Sequence, residues 1–408
     1  MSRRELAEAV NAYLWRNLGL RREIDAHTIA RYERGVVRWP GKDYRTALCA
    51  ILDATAVELG FVANRQKAQV AAQRDVLAVN LISPFDPETI PDDYLPVAGT
   101  SMRVGWSDVE KVREIACGAA SLENVRGGGP AAETAARHLR ALTPLLQCAA
   151  AGPTRLALLE AIGNLSGISA YSAFDVADYT VAERQFRFAL WCADAAGSWE
   201  LRAATLADMA RKTAYVGNAD GALSLIELAQ VRSDRLTPTT RAMLCTMRAQ
   251  FLSTLGRTDE ALSEVSRADE HFATRAPECD RPWMCYYDEA EHLGSTGKAL
   301  IPVAVHRKRI DLAAPRIRQA IELQSPGYPR SRTFSLTRLA TLTMTIGEPR
   351  EAAALGMHAA TEAVDFDSQR IRDELGTLAG AAAPYRRIPE VAELTNVIAS
   401  TANRPVKP

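Results

Sequence analysis

Small apolar residues recur in this chain at a fixed helical step. Alanines seven residues apart stand at Ala182/Ala189, Ala222/Ala229, Ala261/Ala268, Ala313/Ala320 and Ala352/Ala359. A further alanine precedes each pair on the helix before it, at Ala170, Ala210, Ala249, Ala290 and Ala340. The first alanines of the pairs are 40, 39, 52 and 39 residues apart. Two helices cross closely only where side chains are small, so alanine at matched places on successive helices is what stacked antiparallel pairs require. The pattern predicts an all-α array of five two-helix units over residues 153–366. Ala177, Gly217, Gly256, Gly297 and Gly347 mark the turns inside the units, and the long 52-residue step is assigned to about 11 extra residues between Gly297 and Ala313. The segment Lys298 to Leu312, with His306-Arg307-Lys308-Arg309, is then the irregular element. A helical bundle with alanine-rich interfaces is the alternative, and five coincident matches argue against it.

The remaining pattern predicts helices around this array. Ser2 followed by Glu5 is a reciprocal capping arrangement, and Asp25 caps a second short helix that Gly35 stops. Leu6, Ala7, Val10, Ile29 and Tyr32 form the apolar seam between the two, and residues 44–61 finish a domain spanning 1–64. Residues 65–106 read as an Arg/Gln-rich helix near 66–81 and a Pro/acidic linker. Residues 107–152 form a helix pair outside the repeat pattern, divided by Gly127-Gly128-Gly129, and 367–408 supply closing helices.

Composition narrows the class. Lysine occurs at seven of 49 basic positions, leaving 42 arginines, a bias that with so much alanine points to a GC-rich bacterial coding sequence. Net charge is zero, which excludes a general polyanion binder and leaves a local basic patch open. No apolar run has the length of a membrane span and the N-terminus lacks a secretion layout, so a cytoplasmic protein is expected. The seven cysteines form no C-x-x-C pair and read as reduced and buried, with Cys279 and Cys285 as the one conceivable redox pair.

The array resembles the tetratricopeptide repeat, in which a small residue on helix A, a glycine at the turn and two alanines on helix B hold each unit together. Residues 3–10 and 24–40 resemble the phage-repressor-like (Cro-like, xenobiotic-response-element) helix-turn-helix family, in Glu5-Leu6-Ala7 and Thr28-Ile29-x-Arg31-Tyr32-Glu33-Arg34-Gly35. That resemblance implies that the second helix reads the major groove, with Ala26, His27, Thr28 and Arg31 toward bases, Ser2 and Arg3 near phosphate, and Arg34 and Arg38 on the backbone. Ten basic against six acidic side chains between residues 3 and 45 agree with a nucleic-acid face. The sequence departs from the family twice. The helix that precedes the one at Ser2 has no counterpart, so the domain reads as truncated or the start as placed too late. The turn is enlarged by Asn11 to Glu23, which either extends the first helix or forms a wing carrying Arg21 and Arg22.

Catalytic and metal patterns are missing. Gly294-Ser-Thr-Gly-Lys298 lacks the spacing of a phosphate-binding loop and reads as a helix-helix turn. Glu289 and His292 are a single i, i+3 pair on what reads as a solvated helix face, where a di-metal bundle needs two such pairs. No enzyme, cofactor or metal is expected. The tetratricopeptide resemblance implies a binding surface on helix A, taking Asn164, Tyr171, Phe174 and Asp175, Arg211 and Tyr215, Gln250 and Thr254, Glu291 and Ser295, and Thr341 and Thr345 as its inward residues. The combined layout resembles bacterial transcriptional regulators whose repeats read a peptide, small molecule or partner protein and transmit it to a DNA-binding domain. It implies a homodimer on a palindromic operator with half-sites about 34 Å apart or a multiple of it. The competing reading is a tetratricopeptide adaptor that no longer binds DNA.

Overall fold

The computed structural model describes residues 1–18, 20, 23–35, 37, 40–56, 58–61, 103–324 and 328–402. The predicted helix near 66–81, the linker after it, and Arg21, Arg22 and Arg38 lie outside the described residues. Among the described residues the structure is all-α, without a strand, and none of its helices is long and apolar enough to cross a membrane. The chain divides into two compact units, residues 1–78 and 79–408.

The first unit holds α1 (Arg3–Leu18), α2 (Ala26–Glu33) and α3 (Lys42–Leu52). At the start of α1, the Ser2 N–H donates to Glu5 at 2.7 Å and the Glu5 N–H donates to the Ser2 hydroxyl at 3.3 Å, satisfying donors that the helix leaves free. Residues 11–18 extend the first helix: α1 runs to Leu18 and buries Leu14 completely beside Val10, while Arg21 and Arg22, on which the wing reading rests, lie outside the described residues. Asn11 then folds the chain back by bonding both the N–H and the carbonyl of Ile24 at 2.9 Å. Asp25 caps α2, accepting the Thr28 N–H at 2.7 Å, and Gly35 follows at φ +67°. Ala7, Val10, Leu14, Ile29, Ala47 and Leu48 close a small core among the three helices.

The second unit is a succession of neighbouring helix pairs: α4 (Trp106–Arg126) with α5 (Gly128–Leu142), α6 (Gly152–Asp175) with α7 (Tyr179–Ala196), α8 (Trp199–Tyr215) with α9 (Ala219–Ala229), and α10 (Pro238–Thr254) with α11 (Thr258–Ala273). The succession continues with α12 (Glu289–Arg307) and α13 (Ala314–Leu323), α14 (Pro329–Ile346) and α15 (Pro349–Glu362), and α16 (Gln369–Ala382) and α17 (Pro389–Ala402). All ten alanines of the five sequence pairs are 1% exposed or less, because each sits at a helix crossing. Ala177, Gly217 and Gly256 adopt positive φ in the turns, as their places predict.

The fourth unit corrects the sequence reading. Gly297 is no turn, and residues 294–298 are no helix-helix connection; both lie inside α12. The glycines there let α13 approach: a β-carbon on Gly297 would meet Ile317 at 2.6 Å, and one on Gly294 would lie 3.5 Å from Ala320. The turn falls instead at Lys308, at φ +52°, five residues before Ala313 just as Ala177 is five before Ala182. The extra residues of the long step therefore stand before the unit, in a connector at 274–288 between α11 and α12, and not between Gly297 and Ala313.

The two ends of the pair succession touch. Asp175, fully buried at the end of α6, accepts hydrogen bonds from Arg330 and, at 2.9 Å, from Ser368, while its other oxygen accepts the Gly128 N–H at 3.0 Å. Arg330 also bonds Glu123 of α4, and Arg370 lies 3.7 Å from Asp175. Alongside, the Asp367 N–H donates to the Arg126 carbonyl at 3.0 Å. Residues 127–129 must be glycine to allow this contact. Gly127 has φ +86° and ψ −177°, and a β-carbon on it would stand 2.5 Å from the Asp367 carbonyl oxygen; one on Gly128 would stand 2.5 Å from that of Ser172. Replacing Gly127 by alanine is expected to destabilise the unit by at least ~1–3 kcal/mol, the cost of holding a side chain in a glycine-only conformation. A lowered urea midpoint at unchanged slope is the measurement, and an unchanged midpoint would show that the ends do not meet this way.

Candidate ligand-binding site

The even-numbered helices α6 to α16, together with α4, face a cavity of about 1090 Å³, above the ~300–1,000 Å³ of pockets for drug-sized ligands. Helical periodicity sets its lining: Asn164, Tyr171 and Phe174 from α6, Asp208, Arg211 and Tyr215 from α8, Gln250 and Thr254 from α10, and Glu291, Ser295 and Lys298 from α12. On α14 the stripe is Arg330, Phe334 and Arg338, and α16 adds Arg370. The connector supplies a further wall through Glu278 to Tyr286.

That wall is anchored from behind. Met284 and Tyr287 are both 2% exposed, and the Tyr287 hydroxyl sits 2.8 Å from Thr246 Oγ1 and 3.2 Å from His292 Nδ1. His292 Nε2 lies 2.8 Å from Asp269, which also accepts from Arg316 at 2.6 Å, and the ring stacks on Phe272 with centroids 4.1 Å apart. His292 is thus a buried anchor, not part of the solvated face that the sequence implies. Its partner Asp269 stands 23 residues upstream, beyond any local spacing. Cys117, Cys279 and Cys285 are likewise exposed on the cavity instead of buried, since the connector and α4 turn those faces toward it; all seven cysteines are free.

One corner of the cavity is aromatic and cationic. Phe174 packs edge-on to Tyr171 and Tyr215 at centroid distances of 5.8 and 5.3 Å. The Arg370 guanidinium lies 5.2 Å from the Tyr171 ring, 5.0 Å from Phe174 and 5.2 Å from Phe334, and donates to the Tyr171 hydroxyl at 2.7 Å. Tyr215 donates to Asp373, and burial together with that carboxylate pushes its phenol up. Asp208 stands 3.5 Å from Arg211, yet burial pushes its carboxyl up to about 6. Glu291 accepts from the Ser295 hydroxyl at 2.6 Å.

Nine of the twelve residues expected to face inward, Asn164, Tyr171, Phe174, Arg211, Tyr215, Gln250, Thr254, Glu291 and Ser295, line this one cavity. Thr341 does not, and neither does Thr345: their hydroxyls close back on the Thr337 and Thr341 carbonyls at 2.8 and 2.7 Å. The facing stripe on α14 occupies its N-terminal half, because that half is the part drawn onto α6 by Arg330 and Asp175. Asp175, expected to face inward, is buried in the end-to-end contact. The connector residues carried no repeat signal and could be found only by placing the turn at Lys308.

In the first unit, His27 and Arg31 are exposed one helical turn apart on α2. Ser2 caps α1, and Thr28 bonds the Asp25 carboxylate through its hydroxyl at 2.7 Å. Arg3 bonds Glu33 at 2.6 Å, tying the start of α1 to the end of α2. Arg34 is exposed with its Nε on the Ala30 carbonyl, Ala26 is half-buried, and Arg38 lies outside the described residues. No protein-family model, curated protein or solved structure matches the chain.

The Asp208 carboxyl gives a pH signature. Its folded-state value of about 6 lies above the ordinary aspartate value of 3.8, so the folded state favours the proton, and the stability this contributes is complete below pH 4 and lost as pH rises through 6. Asp208→Asn lacks this loss. The unfolding free energy of wild type relative to the variant should fall by up to ~3 kcal/mol between pH 4 and 7, at about 1.4 kcal/mol for each pH unit that separates the folded from the unfolded value. Urea titrations across that range read it, and a flat difference would place the carboxyl at its ordinary value.

Proposed function

We propose that the chain is a bacterial DNA-binding transcriptional regulator whose helix-pair unit, of tetratricopeptide type, senses a peptide or small-molecule signal. The observation that carries this reading is the cavity. An adaptor is served by an open helix face, whereas here the connector and the meeting of the two ends bound a space of about 1090 Å³ lined by arginines, tyrosines and carboxylates. In this reading α2 is the recognition helix of a phage-repressor-like helix-turn-helix. His27 and Arg31 reach base edges with Ala26 and Thr28 beside them, Ser2 and Arg3 sit near phosphate, and Arg34 and Arg38 add backbone contacts.

A route from ligand to DNA follows from groups that serve two purposes. Arg330 and Arg370 line the cavity and also hold Asp175 at the meeting of the ends. A ligand that engages either guanidinium competes with that contact and so has different affinity for the closed and relaxed states, which is what a switch requires. A tenfold change in DNA affinity needs about 1.4 kcal/mol of such difference. In a homodimer on a palindromic operator, this relaxation would alter the spacing of the two DNA-binding units.

The test is fluorescence anisotropy of the full chain on its own upstream DNA, against nonspecific competitor at two salt concentrations. Wild type should bind specifically. His27→Ala with Arg31→Ala should lose at least about thirty-fold in specific affinity, from ~1–3 kcal/mol per base-reading side chain, and keep weak, salt-sensitive binding. Unchanged affinity in the double variant would put the recognition surface elsewhere. A folded wild-type chain with no specific binding would leave the adaptor reading.

A further inference from the structure

Among the described residues that line the cavity, the six arginines each face a carboxylate. Arg113 pairs with Glu110, Arg211 with Asp208, and Arg281 with Glu160. Arg330 holds Glu123 and Asp175, Arg338 holds Glu374, and Arg370 lies by Asp175. Lys298, the single lysine of the lining, has no hydrogen bond or ion pair among the described residues. It stands midway along α12 on the same face as Glu291 and Ser295, and its surroundings are mainly cationic, with Arg338, Arg370 and Arg211 around it against Glu374. Glu374 already accepts two hydrogen bonds from Arg338, at 3.0 and 2.9 Å. A half-buried amine that faces the cavity among arginines, without an acid of its own, is a seat for one negative charge.

We propose that the ligand supplies that charge: the cavity takes a molecule with an apolar or aromatic body and one carboxylate-like anionic group, which seats on Lys298. This rests on the reading of the cavity as a ligand site. One amine offers one seat, and the Glu278, Asp280, Asp288 and Glu291 carboxylates elsewhere on the lining disfavour a ligand with a second negative charge. Tyr171, Phe174, Tyr286 and Phe334 give the body its apolar walls. Burial, with the neighbouring arginines, holds the Lys298 ammonium well below the ordinary lysine range, so an anion arriving there restores the charged form and takes up a proton. Affinity for such an anion therefore weakens as pH rises. Of the other groups near the amine, Arg211 and Arg370 are held above the ordinary arginine range and the Glu374 carboxyl below the ordinary glutamate range, while Asp208, beside Arg211, has its midpoint at about 6, below the range of interest.

The probes are 8-anilinonaphthalene-1-sulfonate, an aromatic monoanion, and N-phenyl-1-naphthylamine, its uncharged counterpart, titrated by fluorescence into the full chain between pH 7 and 9. The anionic dye should bind wild type at least tenfold more tightly than the neutral one. Lys298→Met should remove that preference and leave the neutral dye unaffected, and Lys298→Arg should keep it while losing the pH dependence. Displacement of the anionic dye by 2-naphthoate would assign the acid to a small aromatic molecule, whereas displacement only by a pentapeptide pool with free carboxyl termini would assign it to a peptide; either supports the proposal. Equal binding of the anionic dye by wild type and Lys298→Met overturns it while the cavity reading stands. Failure of both dyes to bind the folded wild-type chain removes the cavity reading as well.

Discussion

The arrangement of the second unit depends on one buried carboxylate. Asp175 receives Arg330, Ser368 and the first N–H of α5 on its two oxygens, so elements more than 150 residues apart in sequence converge on a single side chain. Burying a carboxyl group is costly unless it is hydrogen-bonded, and here the helix terminus, the hydroxyl and the guanidinium all bond it. Burial opposes the charge on Arg330 too, but Glu123 and Asp175 outweigh it and hold its pKa above that of an ordinary arginine. Without this knot the pairs would form an open succession, and the space between their facing helices would have no closing side.

The cavity follows from this closure. Alanine at the crossings of the repeat helices leaves their other faces toward this space, but what bounds the row of helix faces is the contact of α4 and α6 with α14 and α16. The triglycine at 127–129 is the backbone's share of that contact, since a side chain at 127 or 128 would meet the main chain of Asp367 or Ser172, and one at 129 the Asp367 side chain. The connector at 274–288 provides a wall that no other unit has, pinned by Met284 and by the Tyr287, His292 and Asp269 network.

Local grammar was legible in the sequence, and long-range charge was not. Alanine spacing identified the helix pairs because a seven-residue step survives in any relative order of elements. Capping residues located the helix starts at Ser2 and Asp25 because those bonds span three residues. The same local habit misled at Gly297, where glycine that thins a helix interface resembles glycine that ends a helix. It misled again at Thr341, whose phase on the helix is that of Phe334 and Arg338 although the cavity ends before it is reached. Asp175, Arg330 and Arg370 carry no spacing signal at all. Their conjunction exists only once four helices have been placed, so sequence alone could offer Asp175 merely as one inward-facing residue among many.

Closure also changes how such a structure comes apart. In an open array each unit touches only its neighbours, stability is close to a sum of nearest-neighbour terms, and the ends fray independently of the middle. Joining residues 123–129 to Arg330 and Asp367 adds a term between the early and late members of that sum. Fraying at either end then costs the other end its buried partners. The helix pairs of the second unit are thereby bound into a single cooperative block, in which the loss of one terminal pair is felt by all the rest.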